Sequence, residues 1–201
     1  MEKLFARALS VIFHPLIITT LGVLIIFQTN LYITYIAAEL KRLIIVITFT
    51  STFLVPAIFI IGGLQLQKMF PKTEKIPSLS IVFLFTAFCF YMGYQITSNL
   101  PVAGFFKAIF LAGAIISIGL AIISPRWNIS TYTTGTGALL GTTVAVMLRL
   151  GYYDLIMLIA ILLIGGFSGY SRLVLGKNNP AQVYAGYIWG FLVMFIIFNF
   201  L

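Results

Sequence analysis

Long apolar runs dominate the chain, and short polar stretches punctuate them. Runs near 8–28, 43–65, 79–98, 103–123, 153–170 and 183–201 are built mostly of Leu, Ile, Val, Phe and Ala. Each approaches the roughly 20 residues that a helix needs to cross a hydrocarbon layer. A shorter run at 134–150, TGTGALLGTTVAVMLRL, is rich in Gly and Thr. It predicts a seventh span, or a re-entrant piece if only six cross. The breaks carry helix-stopping residues: Pro71 and Pro77, Pro101, Pro125, Gly151 and Pro180. Pro56 lies inside the second run and predicts a kink. Residues 31–42 (LYITYIAAELKR) are mixed in character and predict an interfacial segment. No repeat or low-complexity linker divides the chain. The expected fold is therefore all-α: one transmembrane domain over 1–201, a polytopic bundle of six or seven spans.

Composition narrows the class. Only 8% of the 201 residues are charged, 61% are apolar, and the mean hydropathy is +1.12. A soluble domain has about 25% charged residues, so this is an integral membrane protein. The formal charge of +8 comes without a basic helix or an aromatic RNA-binding motif, and no nucleic-acid partner is expected. Basic loops instead meet anionic lipid heads or a phosphate ligand. The start of the chain has a basic flank, then a long apolar run with no small-residue cleavage site, and reads as a retained first span. Cys89 is the only cysteine and can form no internal disulfide. No His, Cys or carboxylate cluster predicts a metal, and no cofactor is implied.

Three polar segments concentrate the candidate chemistry: 66–78 (LQKMFPKTEKIPS), 124–137 (SPRWNISTYTTGTG) and 170–182 (YSRLVLGKNNPAQ). They hold Lys68, Lys72, Lys75, Arg126, Arg172 and Lys177. They follow spans two, four and six, so all three fall on one face of the membrane and can converge on one ligand. Which face is left open, because outside these segments Lys3 and Arg7 are balanced by Lys41 and Arg42.

Each segment allows a plain structural reading beside a functional one. Backbone N–H groups at the helix start after Asn128 can hold an anion, with Ser130, Thr131, Thr133 and Thr134 adding hydroxyls. There Gly135 and Gly137 permit close approach. The same residues equally make a helix cap and a packing face. Arg172, at a span end, can grip phosphate with its guanidinium fork or anchor at the headgroup level. Lys68, Lys72 and Lys75 can contact phosphate as point charges or face lipid heads. Gly137-xxx-Gly141, Gly165-xxx-Gly169 and Gly186-xxx-Gly190 read as helix-packing contacts. His14, the only histidine, lies beside Pro15 in the first run and reads as a hydrogen-bonded interior group. Gln95 reads as an interhelical hydrogen bonder, Trp127 and Trp189 as interfacial residues, and Asp154 as a residue of a helix start.

In order and spacing, the three segments resemble the three signature motifs of the type 2 phosphatidic acid phosphatase family of membrane lipid phosphatases. The first motif, K-x6-R-P, compares with Lys68, Lys75 and Pro77, with lysine in the arginine's place and Ile76 intervening. The second, P-S-G-H, compares with Ile129-Ser130-Thr131-Tyr132. The third, S-R-x5-H-x3-D, compares with Ser171 and Arg172, then Asn178 and Gln182 where the family has histidine and aspartate. The resemblance implies a bundle like that family's core, in a bacterial inner (cytoplasmic) membrane. It implies phosphate-holding roles for Lys68, Lys75, Ser130 and Arg172, with Lys72 nearby. It also implies that the chemistry is gone: Tyr132, Asn178 and Gln182 stand at the degenerate catalytic positions. The expected function is binding of a lipid phosphate headgroup, or a place as a non-catalytic subunit in a membrane complex. An active lipid phosphate hydrolase with an unusual catalytic set that uses Tyr132, and a lipid or anion transporter, are the alternatives.

Overall fold

The computed structural model describes residues 2–28, 36–69, 78–102, 104–151 and 153–200, and of Leu66, Lys68 and Met69 only the backbone. Among the described residues every regular element is a helix. The first apolar run becomes two helices, α1 (Glu2–Ile12) and α2 (Pro15–Phe27), which meet at a bend of 61°. Proline has no amide to continue α1, and it forces the residue before it out of the helical region. His14 accordingly sits at φ −64°, ψ 133°, and caps α2.

The second run is one continuous rod, α3 (Ala38–Phe49) and α4 (Val55–Met69), joined by a π-helical turn at Thr50–Leu54. The disturbance expected at Pro56 takes this form. The Val55 amide reaches back to the Thr50 carbonyl, widening the helix just before the proline ring. α5 (Leu79–Ser98) starts at Ser78, whose hydroxyl accepts from the Ile81 amide. α6 (Gly104–Ile123) returns beside it. α7 (Thr131–Leu150) is capped by Ser130, and α8 (Leu155–Val174) by Asp154, as its place at a helix start predicts. α9 (Pro180–Phe200) closes the described chain.

Five of these helical stretches are long and apolar enough to cross a membrane, or six if the bent α1–α2 pair counts as one broken span. α7 is not among them, although its 20 residues make a rod of about 30 Å. It is three residues longer at its start than the sequence predicts. Most of its side chains are buried, including Thr133, Thr134, Thr136, Thr142 and Thr143. α2, α8 and α9 surround it. A helix so enclosed is shielded from lipid and does not need an apolar surface.

α7 and α9 run parallel and pack backbone to backbone. Gly137 and Gly141 face the backbone of Tyr187 and Phe191, while Gly186 and Gly190 face that of Ser130 and Thr134. A Cβ at any of the four would fall closer than 3.0 Å to a backbone atom of the other helix. At the far end, Arg149 Nη1 donates to the Phe198 carbonyl at 2.8 Å. α2 is parallel to this pair, with Ile18 against Gly135 and Leu139 against Gly22. α6 is antiparallel to α5, where Gly93 takes the Phe110 ring and Gly113 the Phe90 ring. It is also antiparallel to α9, where Gly119 takes the Trp189 ring and Phe105 meets Phe198 edge-on at 5.0 Å.

These directions put the starts of α2, α5, α7 and α9 and the ends of α6 and α8 at one end of the bundle. The described parts of the three polar segments therefore share a face, as the count of spans predicts. Two smaller expectations change. Trp189 is an interior residue donating to the Ile116 carbonyl, and Gln95 donates to Tyr91 of its own helix instead of bridging two.

Gly141→Ala and Gly190→Ala are expected to destabilise the bundle by about 1–3 kcal/mol each, as overpacking does, because a backbone neighbour cannot swing aside. Gly62→Ala, where nothing lies within 4 Å, should be neutral or slightly stabilising. Thermal unfolding of the detergent-solubilised protein measures all three.

Candidate functional site

The polar end is built from the end of α8, the turn after it, and the starts of α7 and α9. α8 delivers Arg172 in its last turn. Gly176, at φ 62°, turns the chain in the left-handed region that glycine enters without a steric cost. The turn brings Asn178 back over Arg172. Asn179, Pro180 and Gln182 then open α9 with a reciprocal cap: the Gln182 amide donates to Asn179 Oδ1 at 2.9 Å, and the Asn179 amide donates to Gln182 Oε1 at 3.0 Å. Proline in the first helical position completes this arrangement.

Asn178 is buried and fully engaged. Its Oδ1 accepts from Arg172 Nε at 3.1 Å, and its Nδ2 donates to the Asn128 carbonyl at 2.9 Å and to Gln182 Oε1 at 3.3 Å. One side chain thus ties α8, the loop before α7, and α9 together. The Ser130 amide adds a bond to the Gln182 carbonyl at 3.3 Å.

Arg172 is held on two sides. Its Nε is fixed by Asn178, and its guanidinium carbon lies 4.2 Å from the centroid of the Tyr132 ring, a cation–π contact. Its two terminal nitrogens have no hydrogen-bond partner among the described residues. No carboxylate there neutralises it either: Glu2, Glu39 and Asp154 are the acidic residues described, and none pairs with it. The fourth, Glu74, lies outside the described residues. A half-buried cation with oriented, unfilled donors is an arrangement that favours an anion.

His14 belongs to this end too, which corrects its reading as an interior residue of an unbroken first span. Its ring meets Tyr132 edge-on, with centroids 5.5 Å apart and an interplanar angle of 75°. Nδ1 accepts from the Leu16 amide at 3.4 Å, so in the neutral ring the proton sits on Nε2. The signal was in the sequence. A His-Pro pair inside an apolar run marks a helix start, with proline first in the helix and its neighbour as cap.

Other expectations change at the start of α7. Thr133 and Thr134 are buried and do not face a ligand: Thr133 Oγ1 donates toward the Val183 and Ser130 carbonyls, and Thr134 Oγ1 to the Ser130 carbonyl. Gly135 and Gly137 meet Ile18 and Tyr187. The Thr133–Gly137 turn is thus a packing surface and not an anion cradle. Ser130 is 2% exposed, and its hydroxyl oxygen accepts from the Thr133 amide as the cap. The amides of Thr131 and Tyr132, one turn short of any helical partner, are backbone donors without a partner among the described residues. Arg126 and Lys177 are exposed at the same end. Lys72 and Lys75 lie outside the described residues, and Lys68 is described only as backbone in the last turn of α4. Among the described residues no group of three His, Cys, Asp or Glu side chains could hold a metal ion.

Asn178→Ala should lower stability by roughly 1–3 kcal/mol, because it strands buried partners. Gln182→Ala should cost about 1 kcal/mol as a lost cap. Thermal unfolding reports both; equal and negligible losses would contradict the network described here.

Comparison with family models, with curated proteins and with solved structures finds no match to this chain.

Proposed function

We propose that this integral membrane protein binds a lipid phosphate headgroup at the Arg172 end of the bundle and does not hydrolyse it. The observation that carries the reading is Arg172 itself: half-buried, pinned through Nε, stacked on Tyr132, and without a described counter-ion for its terminal nitrogens. A phosphate presents paired oxygens that match such a fork. The amides of Thr131 and Tyr132 and the positive end of the α7 dipole add to the attraction.

The resemblance to the type 2 phosphatidic acid phosphatases supports the choice of ligand. Residues 130, 132, 172, 178 and 182, which that resemblance groups into one site, are neighbours in this fold. It also supports loss of catalysis. Asn178 and Gln182 stand where that family has a nucleophile and its orienting carboxylate, and here their amides are consumed in structural hydrogen bonds. An amide can neither attack phosphorus nor carry a proton through a reaction at neutral pH. On this reading Lys68, Lys72 and Lys75 add cationic attraction from the first segment. The protein serves as a lipid-binding, non-catalytic component of a bacterial inner membrane, alone or within a larger membrane complex.

One observation favours a second reading, hydrolysis by an unusual residue set. His14 supplies a titratable ring against Tyr132 and close to Arg172. It has the chemistry that positions 132 and 178 lack.

Binding of short-chain phosphatidic acid to the purified protein tests the first reading. Arg172→Ala should weaken it about 10- to 100-fold, the range of a lost charge-assisted pair. Arg172→Lys should recover only part of the loss, since lysine keeps the charge and not the fork. Unchanged affinity in Arg172→Ala would overturn the proposal.

Phosphate release from the same lipid separates the two readings. Binding without release is expected. Release that is abolished in both His14→Ala and Arg172→Ala, in folded protein, would establish the enzyme instead.

A further inference from the structure

Behind the polar end lies a partly open cavity of about 240 Å³, enclosed by α2, the α3–α4 rod, α5, α6 and α7, with Met194 of α9 also in its wall. It exceeds the ~150 Å³ apolar cavity that suffices for a benzene-sized guest. Its shape is elongated. Its lining runs along α2 from His14 to Ile26 and along α7 from Thr131 to Thr142, roughly 16–18 Å at 1.5 Å per residue. That depth matches one leaflet, half of a hydrocarbon layer ~30 Å thick.

The wall is more apolar than its residue types imply. Thr86, Ser117, Thr134 and Thr142 line it, but each hydroxyl donates to a carbonyl of its own helix or its cap, at 2.8–3.0 Å. Thr52 likewise turns its hydroxyl to the Leu16 carbonyl. With the polar atoms satisfied in this way, the threonines present methyl groups to the cavity. Among the described residues, the polar groups of the lining without a partner are Thr19, Thr131 and the Nε2 side of His14, all near the starts of α2 and α7. The cavity is therefore polarised: an apolar slot with hydrogen-bonding groups toward the polar end of the bundle, where His14 also touches Tyr132 and so adjoins Arg172.

We propose that this cavity takes one hydrocarbon chain of the lipid phosphate whose headgroup lies at Arg172, with His14 and Thr131 at the junction between chain and head. The inference rests on the headgroup reading for the identity of the ligand's polar part, while the chain compartment rests on the cavity alone. A compact anion such as free phosphate would use the polar end and leave the slot empty. An amphiphile with one chain inserted fills both, and a second chain, where present, stays in the surrounding lipid.

A long-chain alkyl phosphate bearing a terminal diazirine tests the proposal, with the matching alkyl alcohol and inorganic phosphate as the other arms. In the native protein, light should attach the phosphate probe to cavity residues such as Ile109, Ala138 or Met194. Attachment confined to lipid-facing side chains such as Phe88, Ile118 and Ile159 would overturn the proposal. Ser117→Leu and Thr86→Leu fill the slot from two different helices. Each, if folded by thermal unfolding, should cut cavity labelling at least tenfold without weakening inorganic phosphate binding. Arg172→Ala should do the converse, abolishing phosphate binding while the alcohol probe still labels the cavity. Cavity labelling by the alcohol with no phosphate binding in the native protein would remove the headgroup reading and keep the slot. Phosphate binding with no cavity labelling would keep the headgroup reading and remove the slot.

Discussion

The backbone contact between α7 and α9 is the constraint on which the rest of the structure depends. Four glycines let two helices approach until carbonyls and amides, with no side chains between them, set the separation. In lipid, where apolar side chains gain little by leaving one hydrocarbon environment for another, such close packing is a main source of helix association. The contact also fixes register. Because Gly186 must meet Ser130 and Gly190 must meet Thr134, the start of α7 lies beside the first two turns of α9, and the Ser130 amide reaches the Gln182 carbonyl. The polar end follows from that alignment: once the start of α7 lies against the first turns of α9, the α8–α9 turn returns Asn178 between Asn128 and Arg172.

The same contact explains why a Thr- and Gly-rich helix can sit in the middle of a membrane bundle. The hydroxyls of Thr133, Thr134, Thr136, Thr142 and Thr143 are satisfied by carbonyls of the preceding turn or of α9, so beyond its first turn α7 offers neighbours a surface of methyls and bare backbone. Polar residues that would be costly against lipid carry little penalty when their donors are filled. Along its other faces, this helix forms a wall of the elongated cavity, which Met194 of α9 joins. A single helix thus organises both the tight packing on one side and the free volume on the other.

Arg172 is the other fixed element. Its placement is not a surface anchor's: one nitrogen is tied to Asn178 and one face is covered by Tyr132, while the terminal nitrogens keep their donors. Orientation of this kind reduces the entropy lost when an anion is bound, which is the advantage of a preorganised fork over a mobile lysine. The residues that hold Arg172 are amides and an aromatic ring, which position charge without exchanging protons. His14 is the exception at this end, and its place at the bend between α1 and α2 makes it the chemical group whose role most depends on what occupies the polar end of the cavity.

Much of this was legible in the sequence, and for identifiable reasons. Apolar run lengths determine which stretches are helices, since a helix is how a single segment satisfies its own backbone in lipid. Proline and glycine placed the breaks, and Asp154 marked a helix start. The three glycine pairs marked packing faces, and the count of spans put the described parts of the polar segments at one end. Even the Asn179–Gln182 cap and the His14-Pro15 helix start were written in local patterns. What only the tertiary structure decided was which polar groups are spent and which are free. Thr133, Thr134 and Ser130 read as donors to a ligand until α9 is seen to consume or bury them. His14 reads as interior until the bend swings it against Tyr132. The cavity has no sequence signature at all, because it is made by residues from separate helices failing to meet. Hydropathy and local pattern are properties of a segment and can be read along the chain; satisfaction of a polar group and empty volume are properties of what lies across from it, and exist only once the helices have packed.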